Sequence, residues 1–194
     1  MEHAEVIVKE WLQKVKKQFT MENILYPVNF GEHGSNYSDI DVLATDTEGN
    51  FYDYEVKWAG GPTIGATQNQ STDGISKRFN DDARIQSLKE IGITNIGEVK
   101  KILVVPHVYF GVREETKQKK ERELIENGVE VVYFDDVIDE LMEYSLKTKK
   151  DDSTVVRLFR SIALAYPEKF DGFSKVEDSG VVSEKKSNTT STSI

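Results

Sequence analysis

The sequence contains no cysteine, and its 194 residues include only three histidines and four prolines. Without cysteine the chain can form no disulfide, no thiolate metal site and no cysteine nucleophile. The three histidines stand at positions 3, 33 and 107, which is not the spacing of a zinc site. Any metal site in this chain would therefore depend on oxygen ligands.

Long apolar runs are also missing. No stretch approaches the roughly 20 consecutive apolar residues that a membrane-spanning helix needs. The first five residues, MEHAE, lack the basic start and the apolar core of a signal peptide. We therefore expect a soluble cytoplasmic protein that has no membrane partner.

Basic residues are outnumbered. The chain has 25 Lys and Arg against 34 Asp and Glu, which gives a net charge of −9. Proteins that bind nucleic acid generally use positive surface to displace counterions, so this balance argues mildly against such a partner. The imbalance is local, because residues 1–58 carry 11 acidic and only 5 basic groups.

Periodicity predicts helices alternating with strands. Helices are expected at 4–19, 75–91, 113–127, after Asp135 as the N-cap, and at 153–165; strands are expected at 24–30, 38–45, 51–58, 102–105 and 129–134. This order predicts an α/β protein with a mixed central sheet and helices on both faces. We expect one domain over residues 1–166, followed by a disordered Ser-, Thr- and Lys-rich tail at 167–194. Residues 59–74 are predicted to form a long loop, either a mobile substrate-binding element or a passive connection.

The hairpin at 38–58 carries acidic residues on strands that are otherwise apolar. A three-residue loop at 47–49, with Gly49 in the left-handed conformation, would place Asp41 opposite Glu55 and Lys57 next to Asp39. Alternation along the strands puts these charged side chains on one face, while the other face carries Ile40, Val42 and Ala44 of the first strand and Tyr54 of the second. Two facing carboxylates repel each other, so we expect a cation between them, and oxygen ligands favour Mg²⁺ or Mn²⁺.

The first predicted helix contributes a further acidic residue. Its apolar residues form one stripe, and Glu5 lies about 80° from the centre of that stripe at 100° per residue. Glu5 can therefore lie along the boundary between the helix and the hairpin. The alternative, an ordinary exposed helix carboxylate, remains open.

The spaced set of Glu5, Asp41 and Glu55-Val56-Lys57 resembles the motif of the PD-(D/E)XK nuclease superfamily, which has the restriction-endonuclease-like fold. The acidic helix before the motif is similar to that of archaeal Holliday-junction resolvases and Mrr-type restriction enzymes. The family's proline before the aspartate is not reproduced, since Ser38-Asp39-Ile40 stands there. The resemblance covers about residues 3–146.

The resemblance implies a metal-dependent endonuclease that hydrolyses DNA phosphodiester bonds. Asp41 and Glu55 would bind Mg²⁺ or Mn²⁺ with help from the Val56 carbonyl. Lys57 would orient the attacking water or stabilise negative charge, and Glu5 would hold a second metal or its water. Relatives that cut both strands are often dimers, so a homodimer is one expectation.

Residues outside the motif are candidates for binding the substrate. Some relatives place a glutamine after the hairpin, where this chain has Gln68 and Gln70. The predicted second helix presents Lys77, Arg78 and Arg84 on its outward side, and these could supply the positive charge that DNA requires.

Other functions stay open at the level of sequence. Asp41 and Glu55 could form a solvated hairpin face with Lys57 as an ion-pair partner. The chain could be a non-catalytic nucleic-acid-binding or assembly module on the same fold. It could also be an α/β small-ligand or interaction domain with a chance motif, although the sequence has no Gly-rich phosphate loop.

Overall fold

The structure, a computed structural model, describes residues 3–29, 35–58, 64 and 71–167. The elements of this part, in chain order, are α1 (His3–Lys14), β1 (Phe19–Asn29), β2 (Ser35–Thr45), β3 (Phe51–Val56), α2 (Thr72–Phe79), α3 (Asp82–Glu90), β4 (Lys100–Val105), α4 (Glu114–Glu126), β5 (Val129–Tyr133), α5 (Phe134–Lys147) and α6 (Thr154–Ala165). Short 3₁₀ turns precede β4 and follow it. None of the helices in the described ranges is long and apolar enough to cross a membrane.

The five strands form one mixed sheet in the order β1-β2-β3-β4-β5. The pairs β1–β2 and β2–β3 are antiparallel, whereas β3–β4 and β4–β5 are parallel. The predicted α/β class with a mixed sheet between helices is confirmed. Pro27 lies on the edge strand β1, where a missing N–H donor is tolerated, as the sequence indicated.

One face of the sheet is covered by α1, α5 and α6. Val42 and Tyr54 project from the sheet into this layer, where they pack against Leu12 of α1 and Leu141 of α5. The predicted alternation of the hairpin is therefore confirmed for these residues. Ile40 departs from it, because it packs in a separate cluster with Leu43 and Leu88.

The opposite face is covered by α2, α3 and α4. The prediction of one continuous helix over 75–91 is wrong, because the helix is interrupted at Asn80. The side chain of Asp81 accepts hydrogen bonds from the N–H groups of Ala83 and Arg84 and so begins α3. Helix α3 therefore has an inward face of its own, which carries Arg84 and Leu88.

Other boundaries also differ from the prediction, and β1 begins at Phe19 instead of at residue 24. Helix α1 ends at Lys14 instead of continuing to Phe19, because Lys17 adopts the left-handed conformation (φ 58°) that terminates helices. Asp135 lies inside the first turn of α5 and does not cap it. The predicted loop at 59–74 lies mostly outside the described residues, as does the predicted tail beyond residue 167, and α2 already begins at Thr72.

Candidate functional site

The hairpin of β2 and β3 brings Asp41 and Glu55 to the same face of the sheet. The observed register pairs Val42 with Tyr54, and continuing it by one residue places Asp41 opposite Glu55, as predicted. The turn closes with Gly49 at φ 85°, the conformation expected for a three-residue loop. In addition, the Val56 N–H donates a hydrogen bond of 2.6 Å to Asp41 Oδ2, which fixes one oxygen of that carboxylate.

Both carboxylates are buried, but their pKa values shift in opposite directions. Burial and the nearby charge of Glu55 raise the pKa of Asp41 from 3.8 to about 7. Burial alone would also raise the pKa of Glu55, but Lys57, Arg84 and Arg78 together lower it to about 2. The site therefore holds one carboxylate that is firmly ionised and one that favours a bound proton or cation.

Three cations surround the Glu55 carboxylate. Lys57 Nζ lies 2.7 Å from Oε1, and Arg78 also forms an ion pair with Oε1. Arg84 Nη1 donates to the other oxygen, Oε2, at 3.1 Å. Lys57 and Arg78 are partly exposed, whereas the Arg84 side chain has no exposed surface.

A cavity of about 550 Å³ opens at these side chains. Its charged lining residues are Asp39, Asp41, Glu55, Lys57, Lys77, Arg78 and Asp81. The motif residues thus share a cavity with basic groups from α2. The cavity is also lined by Tyr26, Val28 and Tyr37 of β1 and β2, which sequence reasoning missed.

Glu5 is buried on α1, so it is not the ordinary exposed helix carboxylate that the sequence left open. It lies near enough to Asp41 for its negative charge to contribute to the raised pKa of Asp41, after burial and Glu55. It is not one of the described residues that line the cavity. Its predicted role with a second metal stays a prediction.

The predicted substrate-binding residues lie in different places in the structure. Arg78 lies at the cavity, bound to Glu55, and Lys77 lines the cavity while pairing with Asp73 at 2.6 Å. Arg84 was expected to face outward, and this is wrong, since it is fully buried. Gln68 and Gln70 lie outside the described residues.

The sequence contained a signal for the orientation of Arg84. The Asn80-Asp81-Asp82 stretch contains strong N-cap residues, and a helix restarted there has its own inward face. On that face Arg84 lies one turn before Leu88, which is buried as well. A spacing of four residues puts both side chains on the same face of a helix.

The donor set for a metal is small in the part of the chain that the structure describes. No group of three or more His, Cys, Asp or Glu side chains is arranged there to hold an ion. The predicted ligands at the cavity are the carboxylates of Asp41 and Glu55. The Val56 carbonyl as a ligand stays a prediction, because the contact seen at Asp41 is with the Val56 N–H.

Arg84 itself stays charged. Burial alone would lower its pKa, but Asp53 and Glu55 raise it above the ordinary value for arginine. The buried side chains at this end of α3 therefore include a fixed positive charge directly beneath the cavity residue Glu55.

Comparison of the chain with protein-family models, with curated proteins and with solved structures gives no significant match.

Proposed function

We propose that this protein is a metal-dependent nuclease of the PD-(D/E)XK type, which hydrolyses DNA phosphodiester bonds. The observation that carries this proposal is the meeting of Asp41, Glu55 and Lys57 at one cavity. The two carboxylates are buried on adjacent antiparallel strands, and the lysine follows the second of them. The mixed sheet with helices on both faces is compatible with the restriction-endonuclease-like fold.

The residues present fit a hard divalent cation such as Mg²⁺ or Mn²⁺. The raised pKa of Asp41 indicates that its position favours a positive charge beside the carboxylate. Mg²⁺ is commonly held by one or two carboxylates together with waters and substrate phosphates, which matches a two-carboxylate site. Asp41 and Glu55 would hold the ion, and the bound ion would polarise the phosphate and lower the pKa of a bound water.

Lys57 is the proposed catalytic cation. Its ammonium lies 2.7 Å from Glu55 Oε1, so it is held at the carboxylate beside which the reaction would occur. From this position it can orient the attacking water or stabilise the negative charge that develops on the phosphate. A lysine is suited to this role because its compact charge can change partners without a large movement of the chain.

Arg78 and Lys77 are the proposed contacts for the substrate backbone. Arg78 shares Glu55 Oε1 with Lys57, so this oxygen has two cationic partners. A cation bound by Glu55 would compete with Arg78, which could then pair with a phosphate oxygen instead. Lys77 is exposed at the same cavity and adds a second positive charge.

A second candidate is a non-catalytic nucleic-acid-binding or assembly module. The observation that favours it is that both oxygens of Glu55 are already engaged by cations. Such a carboxylate can serve as an anchor that holds Lys57 and Arg78 at the cavity for phosphate binding. This candidate predicts binding of nucleic acid without cleavage.

The two candidates can be separated with purified protein and four DNA substrates: supercoiled, linear duplex, single-stranded and four-way junction. Each is incubated with Mg²⁺, with Mn²⁺ or with EDTA. Asp41→Asn and Lys57→Met are tested beside Asp46→Asn and Lys101→Met, which change the same residue types at the turn of the hairpin and in β4. All variants are first checked for folding by circular dichroism.

Cleavage that requires the metal, disappears in Asp41→Asn and Lys57→Met, and persists in both controls supports the nuclease. Binding to DNA in EDTA without cleavage under any metal condition selects the non-catalytic module. Absence of binding at low salt would contradict both candidates and leave a small-ligand or interaction domain.

A further inference from the structure

Arg84 is the largest fully buried charged side chain in the described part of the chain. It projects from the first turn of α3 toward β3, near two aromatic rings. Its guanidinium carbon lies 4.9 Å from the ring centre of Phe79 and 5.9 Å from that of Tyr26. This packing holds the plane of the guanidinium in one orientation.

The guanidinium connects two carboxylates of the same strand. Arg84 Nε donates to Asp53 Oδ2 at 2.9 Å, and Nη2 donates to Asp53 Oδ1 at 2.6 Å. The remaining terminal nitrogen, Nη1, donates to Glu55 Oε2 at 3.1 Å. Since Asp53 and Glu55 are two residues apart on β3, their side chains lie on the same face of the sheet.

We infer that Arg84 and Asp53 form a positioning pair, which orients the Glu55 carboxylate for binding a divalent cation at the cavity. This inference rests on the proposed function. Asp53 is the anchor, because its two hydrogen bonds fix the direction of the guanidinium. Arg84 then holds Oε2 of Glu55 on the buried side, and Oε1 is the oxygen that the cavity-lining cations Lys57 and Arg78 contact.

Stability alone does not account for this arrangement. Removing three charged groups from water is costly, and apolar side chains of similar volume commonly fill such a space with equal or better stability. The contacts instead form a series. Asp53 binds Arg84 through two hydrogen bonds, and Arg84 in turn binds one oxygen of the cavity residue Glu55. Groups that orient a metal-binding side chain in this way generally affect metal affinity strongly.

Charge balance supports the same reading. Arg84 supplies one positive charge to two carboxylates, so the buried trio of Arg84, Asp53 and Glu55 retains one net negative charge. Lys57 and Arg78 contact the trio only at Glu55 Oε1, the cavity side. Lys57 and Arg78 offset this charge at Oε1, so a divalent cation that binds there would replace one of them.

Arg78 provides a matched contrast. Both arginines bind Glu55, but Arg78 is partly exposed and contacts Oε1, whereas Arg84 is buried and contacts Oε2. If Arg84 positions the carboxylate, losing it should weaken cation binding. If Arg78 competes with the cation for Oε1, losing Arg78 should leave binding unchanged or strengthen it.

The test measures Mn²⁺ binding directly, by electron paramagnetic resonance of free Mn²⁺, for the wild type and four single variants. Asp53→Asn keeps the shape of the anchor, Arg84→Lys keeps the charge without the fork, and Arg78→Met removes the competing arginine. Val137→Ala, in the core on the other face of the sheet, controls for a general loss of stability. Binding is measured at a temperature at which every variant compared is folded.

We expect Asp53→Asn to weaken Mn²⁺ binding by about 10-fold or more, and Arg84→Lys to weaken it as well. Arg78→Met and Val137→Ala should stay within about twofold of wild type or bind more tightly. In DNA cleavage the Mn²⁺ concentration for half-maximal rate should rise in Asp53→Asn, while the rate at saturating Mn²⁺ changes much less.

Two results would overturn the inference. Wild-type protein that binds no Mn²⁺ and cuts no DNA refutes the proposed function, and the positioning role with it. Wild-type protein that binds Mn²⁺ and cuts DNA, beside a folded Asp53→Asn with wild-type Mn²⁺ affinity, refutes the positioning role alone. Should Arg84→Lys fail to fold, Asp53→Asn decides the matter.

Discussion

Asp41 makes a prediction about stability that can be tested without a substrate. In metal-free protein, Asp41→Asn should stabilise the fold above pH 7 and have little effect near pH 4. The change removes the charge of a buried carboxylate. The asparagine oxygen can still accept the 2.6 Å hydrogen bond from the Val56 N–H, so the backbone contact is kept.

The expected size follows from the pKa of Asp41. Burial and the charge of Glu55 raise this pKa from 3.8 to about 7, so the folded protein binds a proton that the unfolded chain releases between these values. The free energy of unfolding of the wild type therefore falls by about 1.4 kcal/mol per pH unit over this range, and about 4 kcal/mol in total is lost by pH 7. Below about pH 4 both states carry the proton, and above about pH 7 neither does, so the loss is complete and constant there.

The assay is urea unfolding in EDTA, followed by tryptophan fluorescence, at several pH values from 4 to 8. The difference in unfolding free energy between Asp41→Asn and wild type should grow with pH up to about 7 and then level off. Asp39→Asn serves as the control, because Asp39 lies on the same strand and at the same cavity but is more exposed.

A difference that does not depend on pH would refute the reasoning, since the stabilisation would then not come from the carboxylate charge. An equal pH dependence in Asp39→Asn would also contradict it, because the effect would then belong to the acidic surface in general. The predicted outcome is a protein that gains stability as it loses a proposed functional group, a common trade-off at functional sites.

Three further outcomes are expected. Mg²⁺ at 100 times its Kd should stabilise the wild type by about 2.7 kcal/mol, EDTA should reverse this, and Asp41→Asn should show neither effect in thermal unfolding. Asp81→Ala removes the side-chain cap of α3 and should cost about 1 kcal/mol in urea unfolding, more than Asp82→Ala in the exposed first turn. Leu141→Ala should cost about 2–5 kcal/mol, because Leu141 is fully buried between α5 and the sheet, while Leu158→Ala at an exposed position of α6 should cost far less.

The structural features that were predicted correctly from the sequence depend on residues close together in the chain. The alternation of Asp41 and Val42, the Gly49 turn and the edge position of Pro27 each depend on a few neighbouring residues, and each was recovered. These rules fixed which residue lies opposite which within the hairpin. They also placed Lys57 on the face of the two carboxylates, although they put it next to Asp39, whereas in the structure it pairs with Glu55.

Helix boundaries were less well determined. The apolar stripe of α1 continues in phase as far as Phe19, but the helix ends at Lys14 and the chain enters β1 at Phe19. The apolar residues of α2 and α3 are likewise spaced as in one continuous helix, although Asp81 begins a new one. In both cases periodicity describes which residues are apolar, and it does not report where the backbone changes direction.

The sequence by itself determined that Asp41, Glu55 and Lys57 share one face of a hairpin, because strand alternation is a property of the local backbone. Only the tertiary structure decided which cations from other elements reach them. Arg84 was predicted to face solvent, yet docking of α3 on the sheet places it between Asp53 and Glu55 with no exposed surface. That contact joins residues about 30 positions apart, and its existence depends on how a helix packs on a sheet, which no local pattern of residues specifies.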